Sequence, residues 1–153
     1  MLKNLDPLLT PDLLYVLRAM GHGDVLTLVD CNFPADSVAA ETVHGEPIRL
    51  DGVGIPEAAR AILSVFPLDS FVEAPIQHMQ VVGEPETMLE IHREFQEIVQ
   101  ETSDRQWQMG SVERFAFYNQ ARETYAVVAT QERQPYGCFL LTKGVIDPDD
   151  NVV

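Results

Sequence analysis

The chain has 153 residues, of which 46% are hydrophobic and 22% charged, and its formal net charge is −14. This composition is typical of a soluble globular protein, and we expect one domain over residues 1–153 with a core of its own. So large a negative charge repels phosphate backbones and argues against nucleic-acid binding. The sequence has no long apolar run, which predicts no membrane span, no signal peptide and a cytoplasmic location.

The first predicted element is a helix that begins near residue 10. Thr10 can cap it, Pro11 suits its first position, and an apolar stripe follows at helical spacing: Leu13, Leu14, Leu17 and Met20. Gly21 fits a left-handed residue that ends the helix. The segment VLTLV (25–29) is short, apolar and β-branched, which predicts a buried strand that NFPADS then breaks.

Strands and helices alternate along the rest of the chain. Further helices are predicted in residues 55–66, 85–102 and 112–124, and further strands in PIRLDG (47–52), HMQVV (78–82), YAVVAT (125–130) and CFLLTKGV (138–145). The tail, IDPDDNVV, is predicted to fray. This alternation favours a layered α/β fold with much of its sheet parallel.

Three polar residues are candidates for chemistry. His22 lies between two glycines, and its imidazole suits general acid–base catalysis, although an exposed loop histidine is the alternative. Asp30 directly follows the predicted strand, at the end where open α/β sheets bind ligands, although the residues alone favour a turn residue. Asp69, in PLDS, could likewise be a cap or turn residue.

Two further segments could hold a sugar or another polyol. Arg114 and Tyr118, in RFAFY, offer donors and a flat apolar face, and the PYGC turn with Tyr136 and Gly137 exposes backbone. Taken alone, these residues favour a purely structural role, with the phenylalanines in the core, Tyr118 on the surface and a tight turn at Tyr136 and Gly137.

Other kinds of site lack their signatures. The two cysteines form no CxxC, and the four histidines form no HxH or HExxH, which argues against a metal site. DGVGIP lacks the phosphate-binding glycine patterns, and neither a serine nucleophile elbow nor a Cys–His signature is present. Residue chemistry alone therefore indicates a soluble α/β domain with a polar acid–base site.

Several motifs occur in a fixed order along the chain. They run from LLTPDLLYVLRAMGHGD to LLTKGV, with NFPA, IRLDGVGIP, PLDS, ERFAFY, YAVVAT and YG between them. This ordered set resembles the fucose mutarotase family, a relative of ribose pyranase in the RbsD/FucU-like group. The resemblance implies a three-layer α/β/α sandwich around a mostly parallel mixed sheet. It also implies interconversion of L-fucose anomers without cofactor or metal. The alternatives are pyranose–furanose interconversion of ribose or another sugar, and a non-catalytic sugar-binding protein of the same fold.

The resemblance also assigns roles to residues. It implies that His22 is the proton donor, that Asp69 acts with it, and that a set of residues contacts the sugar: Asp30, Arg114, Tyr118, Tyr136, Gly137 and Cys138. Cys138 departs from the family, which usually has asparagine there, and a thiol is the weaker hydrogen-bonding group. A homo-oligomer is implied, as a ring-shaped decamer with sites at subunit interfaces.

The spacing of His22 and Asp30 raises a geometric problem. Eight extended steps at about 3.3 Å would place their Cα atoms roughly 26 Å apart, too far for one pocket on a straight strand. Either the Gly21–Gly23 turn folds His22 back, or the two residues serve sites on different subunits.

Overall fold

The computed structural model describes residues 2–103, 105–149 and 151–153. The helices and strands alternate in the order α1 Pro11–Ala19, β1 Val25–Val29, α2 Ala35–Ala39, β2 Ile48–Leu50, α3 Ile55–Leu63, β3 Ile76–Met79, α4 Glu90–Glu101, β4 Met109–Val112, α5 Arg114–Arg122, β5 Ala126–Thr130 and β6 Phe139–Thr142. In these ranges no helix has the length and apolar character needed to cross a membrane.

Within the described residues, six strands form one sheet in the order β2-β5-β1-β6-β3-β4. β6 is antiparallel to both of its neighbours, β1 and β3, whereas every other pairing is parallel. The prediction of a mostly parallel mixed sheet is therefore confirmed. One consequence matters for the site: the carboxyl ends of β1 and β3 and the start of β6 share one edge.

Helices cover both faces of the sheet, which confirms the three layers. On one face α1, α3 and α4 enclose the larger core, and on the other face α2 and α5 enclose a smaller one. β1 contributes to both, because Leu26 and Leu28 point to the first core and Val29 to the second. Because β1 is a central strand buried on both faces, its sequence is a nearly continuous apolar run.

The first helix ends differently from the prediction. The Thr10 hydroxyl accepts a hydrogen bond from the Leu13 amide, as expected of a cap. Gly21, however, is not left-handed; Gly23 is, with a φ of 83°. The α1 carbonyls need no left-handed glycine at residue 21, because the Lys143 ammonium donates to the Leu17 and Met20 carbonyl oxygens, at 2.6 Å each.

Sequence patterns missed two short elements and shifted others. α2 has five residues and lies in the segment that was predicted only to end a strand. β4 is a four-residue strand that contains Gly110 and lies outermost in the strand order. β3 begins two residues before the predicted HMQVV strand, and α4 begins at Glu90, five residues into its predicted segment. Of the tail predicted to fray, Ile146 pairs with Val152, while Asp150 lies outside the described residues.

Candidate functional site

A cavity of about 300 Å³ opens at the edge where β1 and β3 end and β6 begins. Its walls are Asp30, Asn32, Phe33, Met79, Arg114, Tyr118, Pro135, Tyr136 and Cys138. Five of the six sugar-contacting candidates thus line one cavity, and the sixth, Gly137, lies between Tyr136 and Cys138 in the chain. Parallel strands of open sheets hold ligands at this edge, and the volume is enough for a small ligand.

Asp30 is the buried carboxylate of this cavity. Its Oδ1 accepts a hydrogen bond from the Asn32 amide at 2.9 Å, so the predicted turn role is present as well. Its Oδ2 accepts from the Cys138 thiol at 3.5 Å. Burial raises the pKa of Asp30, against the opposing effect of the hydrogen bonds from Asn32 and Cys138. Burial, with Asp30 beside it, raises the pKa of Cys138 well above its usual value, which keeps the thiol protonated.

The first two turns of α5 supply a cation and an aromatic face. Arg114 Nε donates to the Tyr118 hydroxyl at 3.4 Å, and this bond raises the pKa of Arg114. The Arg114 guanidinium also lies 5.7 Å from the centre of the Tyr118 ring. Phe117 is fully buried as expected, but the interpretation of Phe115 as core is wrong, because it is 68% exposed.

The turn before β6 forms another part of the cavity wall. Tyr136 has a φ of 64°, in the left-handed region that non-glycine residues rarely occupy. At Gly137 a Cβ atom would lie 3.2 Å from Glu132 Cγ and 3.5 Å from Asp30 Cβ. The distance to Glu132, and one of 3.3 Å to the Gln134 carbonyl oxygen, would be tight, whereas that to Asp30 is an ordinary contact. Glycine therefore allows the turn to close on Glu132 and Gln134.

The other two candidates, His22 and Asp69, pair at the opposite edge of the sheet. His22 Nε2 lies 3.2 Å from Asp69 Oδ1, which also accepts from the Phe71 amide at 3.0 Å. Asp69 is 2% exposed, whereas half of the His22 side chain is open to solvent. The Phe71 ring packs edge-on against the imidazole, with centroids 5.4 Å apart. The carboxylate is thus fixed and the imidazole accessible.

Two glycines, Gly144 and Gly23, position this pair, and sequence reasoning gave Gly144 no role. At Gly144 a Cβ atom would overlap the Leu68 carbonyl oxygen and lie 2.9 Å from Asp69 Cα, so only glycine lets the segment after β6 pass the Asp69 loop. The amide of left-handed Gly23 donates to the Lys143 carbonyl oxygen at 2.8 Å and ties the His22 turn to the same segment. The signal for Gly144 was the KGV motif.

His22 is not among the described residues that line the cavity. The structure therefore places the candidates in two groups: His22 with Asp69 at one edge, and the cavity residues at the other. Over the described ranges, no cluster of three or more His, Cys, Asp or Glu side chains could hold a metal ion. Asn32, Phe33, Met79 and Pro135 also line the cavity; the NFP motif was the signal for the first two.

The fold and the cavity define a three-layer α/β protein with a polar small-ligand site at one sheet edge. The chain belongs to the RbsD / FucU transport protein family, whose model matches residues 3–146. It is 44% identical to a fucose mutarotase of Danio rerio, over 97% of each chain.

Two solved structures share the fold closely. The FucU protein of Bifidobacterium longum is 39% identical, with a TM-score of 0.87 over 95% of this chain and 100% of that one. The fucose mutarotase of Streptococcus pneumoniae in complex with L-fucose is 36% identical, with a TM-score of 0.85 over 95% and 100% of the two chains.

Proposed function

We propose that this protein interconverts the α and β anomers of L-fucose by general acid–base catalysis, without a cofactor. The observation that carries the proposal is the cavity that gathers a buried carboxylate, a guanidinium and two tyrosines around a space for a small ligand. Relatives named fucose mutarotase and the neighbour solved with L-fucose support the choice of sugar.

Mutarotation moves protons and makes no lasting bond to the protein. A proton is delivered to the ring oxygen while another leaves the anomeric hydroxyl, the ring opens to the aldehyde, the carbonyl carbon rotates, and the ring recloses. We assign the proton delivery to His22 and its orientation to Asp69: the carboxylate holds the Nε2–H, the protonated ring delivers its Nδ1 proton to the ring oxygen, and the anomeric hydroxyl gives its proton to water. The cavity residues, with the backbone at Gly137, bind the sugar hydroxyls.

We infer that the complete site forms between two copies of the chain. The His22–Asp69 pair and the cavity lie at opposite edges of one sheet, so one copy's imidazole would meet the neighbour's cavity. Phe71 and Val72 are 66% and 42% exposed beside Asp69 and offer apolar surface for that contact. Head-to-tail contacts form a ring where the rotation between neighbouring copies closes, and we propose a ring-shaped decamer of this kind in the cytoplasm.

Saturation-transfer NMR on the anomeric protons of L-fucose tests the activity directly. We expect the protein to accelerate exchange between the two pyranose anomers at catalytic concentration. The proposal fails if the rate equals that of sugar in buffer. A panel with ribose and other sugars distinguishes pyranose–furanose interconversion, and binding by calorimetry without exchange would indicate a non-catalytic sugar-binding protein.

A further inference from the structure

Two buried histidines lie behind the cavity, and the proposed mechanism does not use them. His78, on β3, is 3% exposed, and His92, in the first turn of α4, is fully buried. Their ring centroids are 4.1 Å apart. Each bonds to the backbone of a cavity residue: His78 Nδ1 lies 3.1 Å from the Met79 carbonyl oxygen, and His92 Nε2 lies 3.0 Å from that of Tyr136.

The hydrogen bonds of His92 fix its tautomer. Its Nδ1 accepts a hydrogen bond from the Leu89 backbone N–H at 3.3 Å. Because this N–H can only donate, Nδ1 carries no proton. The proton of the neutral ring therefore sits on Nε2, which donates to the Tyr136 carbonyl oxygen. Burial, with His78 next to it, lowers the pKa of His92 to about 4, so this neutral donor is present throughout the neutral pH range.

The acceptor of this bond belongs to the strained residue of the cavity wall. Tyr136 holds a φ of 64°, a conformation that persists in a non-glycine residue only where the surroundings enforce it. Its hydroxyl accepts from the Val82 amide at 3.3 Å, and its carbonyl accepts from His92. The next residues along the chain, Gly137 and Cys138, pack on Asp30.

We propose that His92 is a positioning residue for the sugar cavity: its Nε2–H holds the Tyr136 carbonyl and thereby sets the wall from Tyr136 to Cys138. His92 lies outside the wall and acts through Tyr136. The consequence for the sugar rests on the proposed function, whereas the hydrogen bond and its tautomer do not.

A first experiment needs no sugar. Nitrogen-15 NMR of the wild-type protein at neutral pH should show His92 as the Nε2–H tautomer, with a coupling across the hydrogen bond to the Tyr136 carbonyl carbon. An Nδ1–H tautomer or an imidazolium ring at this pH would overturn the proposal. This result stands whether or not the protein acts on L-fucose.

A second experiment compares substitutions that keep or remove the donor. His92→Met fills the space without a donor, and we expect L-fucose to bind about tenfold more weakly while exchange at saturating sugar changes less than about twofold. His92→Gln keeps an N–H at the position of Nε2 and should restore most of the affinity. The control is Phe95→Leu, fully buried on the same helix and stacked on Phe139 at 3.9 Å, which should lose stability but not affinity.

The outcomes separate the two proposals. Wild-type affinity in His92→Met, or an equal loss of affinity in Phe95→Leu, contradicts positioning by His92. If His92→Met does not fold, the folded His92→Gln protein decides instead: an affinity for L-fucose well below that of the wild type would also contradict positioning by His92. If the wild type binds no L-fucose, the proposed function fails, and the NMR tautomer still decides the position of the His92 proton.

Discussion

His22 and Asp30 occupy opposite edges of the sheet, although only β1 and its short flanks separate them. Gly23, next to His22, bonds to Lys143 just after β6, whereas Asp30 bonds to Cys138 just before β6. Because β6 runs antiparallel to β1, these contacts mark the two ends of the same pair of strands. The Gly21–Gly23 turn thus does not fold His22 back onto Asp30, and this separation is why we propose that sites are shared between copies.

Mixing two inactive variants tests whether sites are shared. We expect His22→Gln and Asp30→Asn each to lose anomer exchange, since each destroys one half of every site. After the two are unfolded together and reassembled, a quarter of the contacts should join two intact halves. About one quarter of wild-type activity should return in the saturation-transfer measurement.

The control for mixing is each variant taken through the same procedure alone. Sites built within a single chain would give no recovery in the mixture, and that result would contradict sharing between copies. Size-exclusion chromatography with light scattering establishes that the reassembled mixture has the wild-type mass.

The roles proposed for His22 and Asp69 predict unequal losses. His22→Gln removes the proton donor and should slow exchange by about 10²–10⁴-fold while L-fucose still binds. Asp69→Asn leaves an oxygen for the Phe71 amide but weakens the hold on Nε2–H, so its loss of rate should be smaller. His44→Gln, at a half-buried histidine elsewhere, is the matched control and should exchange like the wild type. A fully active His22→Gln would contradict the assignment.

Local patterns predicted the elements whose burial repeats at the helix or strand period. α1, α3 and β1 follow Pro11, Pro56 and VLTLV closely, because a cap, a first-turn proline and an apolar run act within one element. α2 and β4 were missed since they are short and stabilised by contacts with distant residues. β4, for example, pairs along its length with β3, at Ile76 to Met79.

The site shows the same division between local and distant information. The motif order supplied Asp30, Arg114 and Tyr136, and the fold brings them to one cavity. The role of Gly144 could not be predicted, because it depends on a close backbone crossing with Leu68, which is far away in the sequence. Burial of His92 behind Tyr136 likewise depends on how α4 packs on the sheet, which its own helical pattern does not specify.

The close crossing at Gly144 predicts that a single methyl group disturbs the pair. In Gly144→Ala the new Cβ would meet the Leu68 carbonyl carbon at 2.7 Å and Asp69 Cα at 2.9 Å, so the Asp69 loop must move. We expect a loss of about 1–3 kcal/mol in the free energy of unfolding and a large loss of exchange rate. Gly21→Ala is the control, because its Cβ makes only an ordinary 3.7 Å contact with Asp24. Equal activity of both variants would rule out a positioning role for Gly144.

The buried histidines predict how stability depends on pH. Burial lowers the pKa of His92 from 6.5 to about 4, and lowers that of His78 in the same direction. Between pH 4 and 6.5 the unfolded chain binds more protons than the native protein, so the free energy of unfolding rises with pH over this range. For His92 this lowering of the pKa from 6.5 to about 4 corresponds to about 3 kcal/mol of unfolding free energy, which is present above pH 6.5 and lost as the pH falls toward 4.

Asp30 acts in the opposite sense. Its native pKa is raised above 3.8, so its contribution to stability is full below 3.8 and is lost as the pH rises through the native value. Urea unfolding at a fixed protein concentration from pH 4 to 8 separates the two groups. We expect His92→Met to reduce the rise in the free energy of unfolding between pH 4 and 6.5. We expect Asp30→Asn to make this rise steeper near pH 4. A wild-type protein equally stable at pH 4.5 and 7, or a His92→Met protein with the wild-type slope, would contradict the burial of neutral His92 as the source of this dependence.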